Sequence, residues 1–526
     1  MSFSPLLIDA LKIPLFILLL IVIGKYFYGE FTSKLKHAFV KNNIELIFGS
    51  ILFFSIFAIF RTSGKTVLSL ALIVLFIQYH LFKIRPKISN ISFKKEDFTT
   101  IFSLSVVFLF FFGLQLYRYD YFNSETLCFG LDDYSFYSDT TERMLMSGNE
   151  QFLEWHSHFN KYNISYETRP TAYHFYELWI DAFLLSISYT KGIYVFIYLL
   201  FPIIGTFVFS SIFALSISFF EEMNRKKWFL LFFLSLLFTF FIGKIPFKDG
   251  GVTSYVFSHP RLFSFYIIFP LFIIFQKINH KRIAFSMLSF LVYFNILYFP
   301  TVISIFFSLG LFYLFIKKNK GLSIYNFFLF TVNTVLIFVF YFVIFKPSGA
   351  TQVNFNFDHF LPISAYLKNT LYDLIRFNLM RFWFFYLPIT IFIAYFFIIH
   401  FKKKKISFLM NEKIIVAVLF YFLSALFAAA IPHLERGTIH SIVSNPLLAI
   451  ISISSVIYIL QNKKNIVSYG IATLLILQAF YSFSFNLYNY EVGPIYSKKF
   501  IEDINNNFKV TNKVGATIKY ISKNNK

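Results

Sequence analysis

Apolar runs long enough to cross a bilayer recur along the whole sequence and constrain its fold more than any other feature. A helix needs about 20 apolar residues to cross the hydrocarbon core, and in lipid only helices or closed barrels satisfy every backbone polar group. The 57% hydrophobic composition and the mean hydropathy of +0.65 agree with a membrane protein. Clear examples of such runs are residues 13–24, 99–117, 193–220, 323–345, 382–400 and 414–431.

We therefore predict an all-α polytopic membrane protein with about 14 transmembrane helices, their lengths set by bilayer thickness. The apolar stretch 283–316 is too long for one span, and Asn295 and Pro300 near its middle predict a break between two helices. Three regions follow from this pattern. They are N-terminal transmembrane helices at 1–98, a transmembrane core at 99–485 with long outer loops at 118–191 and 346–381, and a short polar tail at 486–526.

Positive charge lies in alternate connections between the apolar runs. In a soluble protein the formal net charge of +22 would suggest nucleic acid binding. Cytoplasmic loops of membrane proteins carry an excess of Lys and Arg, however. We therefore expect membrane lipids and no nucleic acid as partners, with the loop 118–191 on the outer side. The basic clusters fall at 83–95, 225–227, 277–282, 317–320, 402–405 and 463–464.

Acidic residues gather in that first long outer loop, which holds eleven of the chain's 26 carboxylates. Asp132 and Asp133 are adjacent there, and neighbouring carboxylates repel unless a cation or a hydrogen-bond donor compensates them. Apolar positions at helical spacing follow the pair, so Asp132 or Asp133 is expected at the N-cap of an amphipathic helix that ends at Gly148. Capping by itself explains one Asp and leaves the second without a role.

A second amphipathic pattern follows, from residue 169 to 187. Trp and Tyr are common at headgroup depth in membrane proteins, and the start of this segment is too polar to cross a bilayer. We expect a helix that lies in the membrane interface. The aromatic and aliphatic positions that carry the pattern are Tyr173, Tyr176, Trp179, Ile180, Phe183 and Leu184.

Taken in order, these features resemble the GT-C superfamily of integral-membrane glycosyltransferases. The features are an acidic pair just after a span, an aromatic pair, a helix ending in Leu-x-x-Gly, and an Arg-Pro-x-x-Tyr segment before the next spans. The resemblance covers roughly residues 117–220 and the general multi-span plan. The residues that match are Asp132, Asp133, Phe136, Tyr137, Leu145, Gly148, Arg169, Pro170 and Tyr173.

The resemblance implies transfer of a hexose or pentose from a polyprenyl-phosphate donor to a glycan, lipid or protein acceptor. It implies an active site on the outer face of the membrane, in a bacterium the periplasmic face of the inner membrane, and a role in cell-envelope polysaccharide synthesis. Asp132 is then the catalytic base that takes the acceptor's proton, with Asp133 as a close rival. Arg169 and Tyr173 become substrate-binding candidates.

The leaving phosphate needs cationic partners on the outer side. Arg261, in the segment SHPRLF, and Arg436 with His440, in the segment PHLERGTIH, meet that condition at the ends of spans or in short outer turns. Each could equally be an interfacial residue. A divalent cation such as Mg²⁺ or Mn²⁺ could be held by Asp133 with His156 and His158, although two histidines in a polar loop more often face solvent.

Two other functions share parts of this pattern. An O-antigen or capsule-type polysaccharide polymerase or ligase would also have many Phe-rich spans and long outer loops, but would depend on outer-loop arginines rather than on an acidic pair. A lipid-linked-sugar flippase or transporter predicts ionisable residues inside spans and paired repeats. Apart from Asp9, Lys12 and Glu45, the apolar runs are nearly free of charge, so transport is the least favoured of the three.

Overall fold

The structure is a computed structural model of the 526-residue chain. The described residues form mainly helices joined by short turns and loops, together with four strands of three residues each. The residues that the structure describes are 3–81, 93–119, 121, 126–128, 132–148, 150–153, 168–170, 175–190, 192–241, 263–345, 368, 411–430, 436–462, 466–488 and 495–497.

The helices follow the apolar runs of the sequence. Those up to the end of the first outer loop are α1 (Phe3–Thr32), α2 (Ala38–Thr62), α3 (Leu68–Leu81), α4 (Lys95–Arg118), α5 (Asp132–Ser147) and α6 (Tyr176–Ile187). Those after the loop are α7 (Ile193–Ser218), α8 (Arg225–Thr239), α9 (Phe263–Lys277), α10 (Lys281–Phe294), α11 (Ile296–Ile316), α12 (Lys320–Val339), α13 (Glu412–Ala430), α14 (Arg436–Asn462) and α15 (Ile466–Tyr488).

Seven of the helices in the described part are long and apolar enough to cross a membrane: α1, α2, α4, α7, α11, α12 and α15. Large apolar side chains on these helices are exposed, among them Phe60, Phe102 and Phe315, which are 81%, 70% and 69% exposed. An apolar surface of this extent needs a covering solvent such as lipid. The helical class and the compatibility with a multi-pass membrane protein are confirmed, whereas the count of 14 spans stays a prediction.

The sequence-predicted break in the apolar stretch 283–316 is confirmed. α10 ends at Phe294, and the Asn295 side chain accepts a hydrogen bond of 3.0 Å from the Leu297 backbone N–H. A single 3-10 turn begins α11, and Pro300 lies in the first turn of the α-helical part, where its missing N–H has no intrahelical role. The predicted spans are helical over 13–24, 99–117, 193–218, 323–345 and 414–430, and 382–400 lies outside the described residues.

Helix α7 lies at the centre of the bundle, and its residues from Tyr194 to Ile217 are buried. Its Phe196–Leu200 segment is a π-helical turn, a rare feature that often lies at functional sites. Around α7 pack α2, α4, α8 and α9, joined by a continuous set of buried aromatic and aliphatic side chains. The helix is therefore enclosed by protein, while α1, α11, α12 and α15 keep apolar faces exposed.

The N-terminal helices pack closely against each other and against the core. A Cβ on Gly24 would lie 1.8 Å from the Glu45 carbonyl oxygen, and one on Gly49 would lie 1.9 Å from the Leu20 carbonyl oxygen. Small residues allow such close approach of helices in a membrane. Asn43 of α2 donates to Ser210 of α7 at 2.8 Å. The division between 1–98 and 99–485 stays a prediction, and the two parts share one buried cluster.

Candidate functional site

The acidic pair begins a helix. Asp132 and Asp133 are the first two residues of α5, so the predicted start of a helix at this pair is confirmed, whereas the N-cap position predicted for one of them lies before residue 132. Their side chains lie outside the described part of the structure. Acidic residues in a first turn face the positive end of the helix dipole, which favours their ionised form.

The predicted end of the same helix at Gly148 is confirmed, and the residue there has to be glycine. The Gly148 N–H donates to the Met144 carbonyl at 3.0 Å, and its φ of +66° is a left-handed conformation that glycine adopts without strain. A Cβ at this position would lie 2.4 Å from the Arg61 carbonyl oxygen at the end of α2. The glycine therefore lets the end of α5 touch the end of a membrane-length helix.

The first turn of α5 packs on the π-helical turn of α7. Tyr134 and Tyr137 are buried, and their rings lie 5.9 Å and 6.1 Å from the ring of Phe196. Tyr134 also lies 5.2 Å from Phe201. Buried aromatic pairs of this kind fix the orientation of the elements that carry them. The start of α5, with its two acids, is thus held against the central helix of the bundle.

Glu150 fixes the residues that follow α5. This buried carboxylate accepts hydrogen bonds from the Thr66 hydroxyl, from the Val67 backbone N–H at 3.2 Å and from the Trp179 indole N–H at 2.8 Å. Burial raises the pKa of Glu150 to about 7, and the three donors oppose that rise. Glu150 therefore joins the segment after α5 to the α2–α3 connection and to the first turn of α6.

Asp181 joins α6 to α5. Its Oδ2 lies 2.6 Å from the Thr141 hydroxyl, which also lies 2.8 Å from the Ser138 carbonyl oxygen. The pKa of Asp181 is raised to about 8, mainly by burial and in smaller part by Glu142, while the hydrogen bond from Thr141 opposes the rise. The Thr141 hydroxyl donates to Asp181 and so joins the two helices. A pKa of about 8 keeps Asp181 mostly protonated and neutral near pH 7.

α6 is a buried helix, and its predicted interfacial position stays a prediction. The hydroxyls of Tyr176 and Ser50 lie 2.8 Å apart, and the Tyr176 ring stacks on Phe294 with centroids 3.9 Å apart. At the far end of α6, the Asp9 carboxylate accepts from the Thr190 backbone N–H at 2.8 Å, and Lys12 donates to the Ile187 carbonyl at 2.8 Å. Helices α1, α2 and α10 therefore position α6, and α6 in turn positions α5 through Asp181.

Two short antiparallel sheets complete the outer-loop segment. β2 (Gln151–Leu153) pairs with β3 (Thr168–Pro170), and Arg169 lies opposite Phe152. β1 (Thr126–Cys128) pairs with β4 (Ile495–Ser497), which follows the last helix. The beginning of the polar tail and the segment before the acidic pair are therefore on the same side of the molecule.

The remaining sequence-predicted site residues are only partly described. Arg436 is the first residue of α14 and His440 lies one turn later, so the predicted short outer turn at these residues is instead the beginning of a helix. The Arg169, Arg436 and His440 side chains lie outside the described part of the structure, as do all atoms of Tyr173, Arg261, His156 and His158. Their predicted roles stay predictions.

No three His, Cys, Asp or Glu side chains come together as a metal site among the described residues. The proposed ligands Asp133, His156 and His158 have side chains outside that set. A divalent cation therefore stays a prediction that depends on those three residues.

Sequence reasoning missed four buried polar side chains near the acidic helix: Gln115, Arg118, Glu150 and Asp181. Glu150 and Asp181 were counted only as acids of a loop, and Arg118 only as the residue at which that loop begins. The available signal was the helical spacing of Gln115 and Arg118 at the end of a span.

No family model matches this chain, and a comparison with curated proteins finds none with significant similarity.

Proposed function

We propose that the protein is a membrane glycosyltransferase that moves a sugar from a polyprenyl-phosphate donor to a glycan, lipid or protein acceptor. The observation that carries the proposal is that Asp132 and Asp133 begin a helix held on three sides. α7 holds its first turn, α6 holds its middle through Asp181, and the end of α2 contacts Gly148. A merely solvated acidic loop needs no such support, whereas a catalytic group does.

The chemistry requires two carboxylates with different tasks. An acceptor hydroxyl is a weak nucleophile, so one Asp, by resemblance Asp132, takes its proton as the new glycosidic bond forms. The bond from the sugar to the lipid phosphate breaks, and the phosphate leaves with the bonding electron pair. Asp133 hydrogen-bonds the acceptor or holds a divalent cation. The helix dipole favours the ionised form that a base needs.

Several contacts support a single outer side for this chemistry. The α2–α3 connection meets Glu150, the first turns of α1 meet the end of α6, and the polar tail pairs with β1. The basic clusters lie in the other set of connections. We infer that this acidic side is the periplasmic or external face of a bacterial inner membrane protein with about 14 spans.

Buried charge elsewhere does not favour transport. Lys25 of α1 and Asp97 of α4 form a buried ion pair at 2.8 Å, and Glu45 accepts from Thr32 at 2.5 Å. These groups lie towards the helix ends opposite to α5, with Lys25 paired with Asp97, and Glu45 hydrogen-bonded by Thr32 and 3.9 Å from Lys41. Paired charges of this kind join helices, whereas a transport path needs ionisable groups near the middle of the membrane. The polymerase or ligase reading keeps the same substrates and is distinguished by its dependence on arginine rather than on the acidic pair.

Substitution of each acid by its amide tests the proposal. Purified protein is assayed with a set of polyprenyl-phosphate sugars, and the products are identified by mass spectrometry. Asn keeps the shape of Asp and suits a helix start, so a structural role predicts little loss for Asp132→Asn or Asp133→Asn. Catalysis predicts a fall of at least about 100-fold for one of them. Asp139→Asn, in the body of α5, is the matched control, and near-normal transfer by both variants would refute the proposal.

A further inference from the structure

Arg118, the last residue of α4, is a buried cation without a hydrogen-bonding partner in the described part of the chain. Its side chain is 0% exposed, and Nε, Nη1 and Nη2 all lack an acceptor there. The guanidinium carbon lies 5.7 Å from the centroid of the Tyr119 ring, a contact that uses none of the N–H donors. An arginine stays charged in proteins, so this position holds a positive charge together with unused donors.

Gln115 lies one turn earlier on α4 and shares this property. It is 0% exposed, and both its Oε1 and its Nε2 lack a partner among the described residues. Residues three apart on a helix lie on the same face. A guanidinium and an amide thus come together on one buried helix face, and the amide N–H₂ adds donors next to the cation.

The end of α4 and the start of the acidic helix both pack on the π-helical turn of α7. Just after Arg118, the ring of Tyr121 lies 5.1 Å from the ring of Tyr198 in the π-helical turn of α7. The first turn of α5 packs on Phe196 of the same turn. One π-helical turn therefore separates the Arg118 end of α4 from the helix start that carries Asp132 and Asp133.

Leaving such donors unused is costly. Removing a charge from water costs several kcal/mol unless a counter-charge compensates it, and each unsatisfied buried donor adds to the cost. A ligand that supplies oxygen atoms and negative charge removes that cost on binding. Phosphate matches the planar set of guanidinium donors in geometry and charge.

We propose that Arg118 and Gln115 bind the phosphate group of a lipid carrier at the outer end of α4. The phosphate is carried by a lipid because the site lies at the end of a membrane-length helix and Arg118 lies beside the aromatic ring of Tyr119. This inference deepens the proposed function and rests on it for the identity of the carrier as an isoprenoid. It places the leaving phosphate next to the acids that activate the acceptor.

The competing explanation is that Arg118 is the internal counter-ion of a carboxylate in this chain, for example in the acidic pair. The two explanations predict opposite changes in the melting temperature of the ligand-free protein when Arg118 is replaced. If Arg118 binds a ligand, its charge is uncompensated in the free protein, and Arg118→Met raises the melting temperature. If Arg118 is a structural counter-ion, the same substitution leaves a buried carboxylate unpaired and lowers that temperature.

Direct binding provides the main test. The full-length protein in nanodiscs of neutral phosphatidylcholine is titrated with geranylgeranyl phosphate, with geranylgeraniol and with inorganic phosphate, and Trp fluorescence or native mass spectrometry reports binding. We expect the lipid phosphate to bind, and the alcohol and inorganic phosphate to bind at least about 10-fold more weakly. Arg118→Gln should weaken binding of the lipid phosphate about 10- to 150-fold, the scale of a charge-assisted contact.

Matched variants distinguish a specific phosphate site at Arg118 from a nonspecific effect of positive charge on affinity. Arg118→Lys keeps the charge but not the planar donors, so it should recover only part of the affinity. Arg61→Gln removes an exposed arginine from the end of α2 and should leave affinity unchanged. Unchanged affinity in Arg118→Gln, or an equal loss in Arg61→Gln, would overturn the inference, as would inorganic phosphate binding as tightly as the lipid.

The binding assay contains neither sugar nor acceptor, so its result is independent of sugar transfer. Normal transfer with unaltered binding in Arg118→Gln would refute this site and leave the proposed function intact. The opposite result is binding that depends on Arg118 but no transfer from any polyprenyl-phosphate sugar. It would support the phosphate site and refute the proposed glycosyltransferase function.

Discussion

The protonated state of Asp181 gives a quantitative prediction about how stability depends on pH. Asp181 lies on α6, which is not among the seven helices long enough to span a membrane, and its pKa is raised from 3.8 to about 8. In Asp181→Asn the amide oxygen can accept from the Thr141 hydroxyl, as Oδ2 of the acid does. The variant therefore keeps the contact between α5 and α6 and removes one titrating group.

The sign and size of the effect follow from proton binding. Between the unfolded pKa of 3.8 and the native pKa of about 8, the folded protein holds one more proton than the unfolded chain. The free energy of unfolding then falls by about 1.4 kcal/mol for each unit of rising pH. The stabilisation from Asp181 is fully present below about pH 4 and is lost as the pH rises through about 8. Between pH 5 and 7 the loss is about 3 kcal/mol.

Other buried acids act in the same direction and do not disturb the comparison. The pKa of Asp139 is raised by burial to about 6 and that of Glu150 to about 7, so both also add stability at low pH. Both remain in Asp181→Asn. The difference between the slopes of the wild type and the variant therefore isolates Asp181.

The measurement is reversible unfolding in mixed micelles by increasing SDS, followed by Trp fluorescence at pH 5, 6 and 7. Asp181→Asn should lose less stability than wild type over this range, with a slope that differs by about 1.4 kcal/mol per pH unit. Glu96→Gln makes the same chemical change at an exposed acid and should keep the wild-type slope. Parallel curves for wild type and Asp181→Asn would show that Asp181 is ionised in the folded protein and refute the reasoning.

Two further predictions concern orientation and helix packing. With Cys128 replaced by Ser, a membrane-impermeant thiol reagent should label Ser147→Cys on intact cells and should not label Ser407→Cys, which lies in the basic segment beyond the described residues; the reverse pattern would invert the orientation. Gly49→Ala should lower the SDS unfolding free energy by about 1–3 kcal/mol because the new Cβ would meet backbone. Gly113→Ala, with open space around it, should be neutral or stabilising, and equal effects of the two substitutions would contradict close packing at Gly49.

Length and periodicity allowed several local features to be predicted. The helices at 13–24 and 193–220, the break at Asn295 and the end of α5 at Gly148 all depend on residues close together in the chain. Apolar runs decide where a helix can lie in a membrane, and glycine and proline decide where it ends. The adjacency of Asp132 and Asp133 and the helical pattern after them were likewise visible without a structure.

Burial of single polar groups could not be predicted in the same way. The apolar run of α1 ends at Gly24, yet the helix continues to Thr32, and Lys25 is buried because Asp97 lies 2.8 Å away. Arg436 and His440 were assigned to a turn, whereas the first turns of α14 contain them. For Lys25, the partner that allows its burial comes from a segment far away in sequence.

The sequence by itself determined that the chain forms apolar helices, and that acids gather between residues 118 and 191. The tertiary structure decided what those acids do, because burial and hydrogen-bond partners are set by elements that are distant in the chain. It brought Thr66 and Trp179 to Glu150, and Thr141 to Asp181. It also enclosed Arg118 without an acceptor among the described residues. Helix formation depends on neighbouring residues, whereas the environment of a charge depends on which distant helices pack around it.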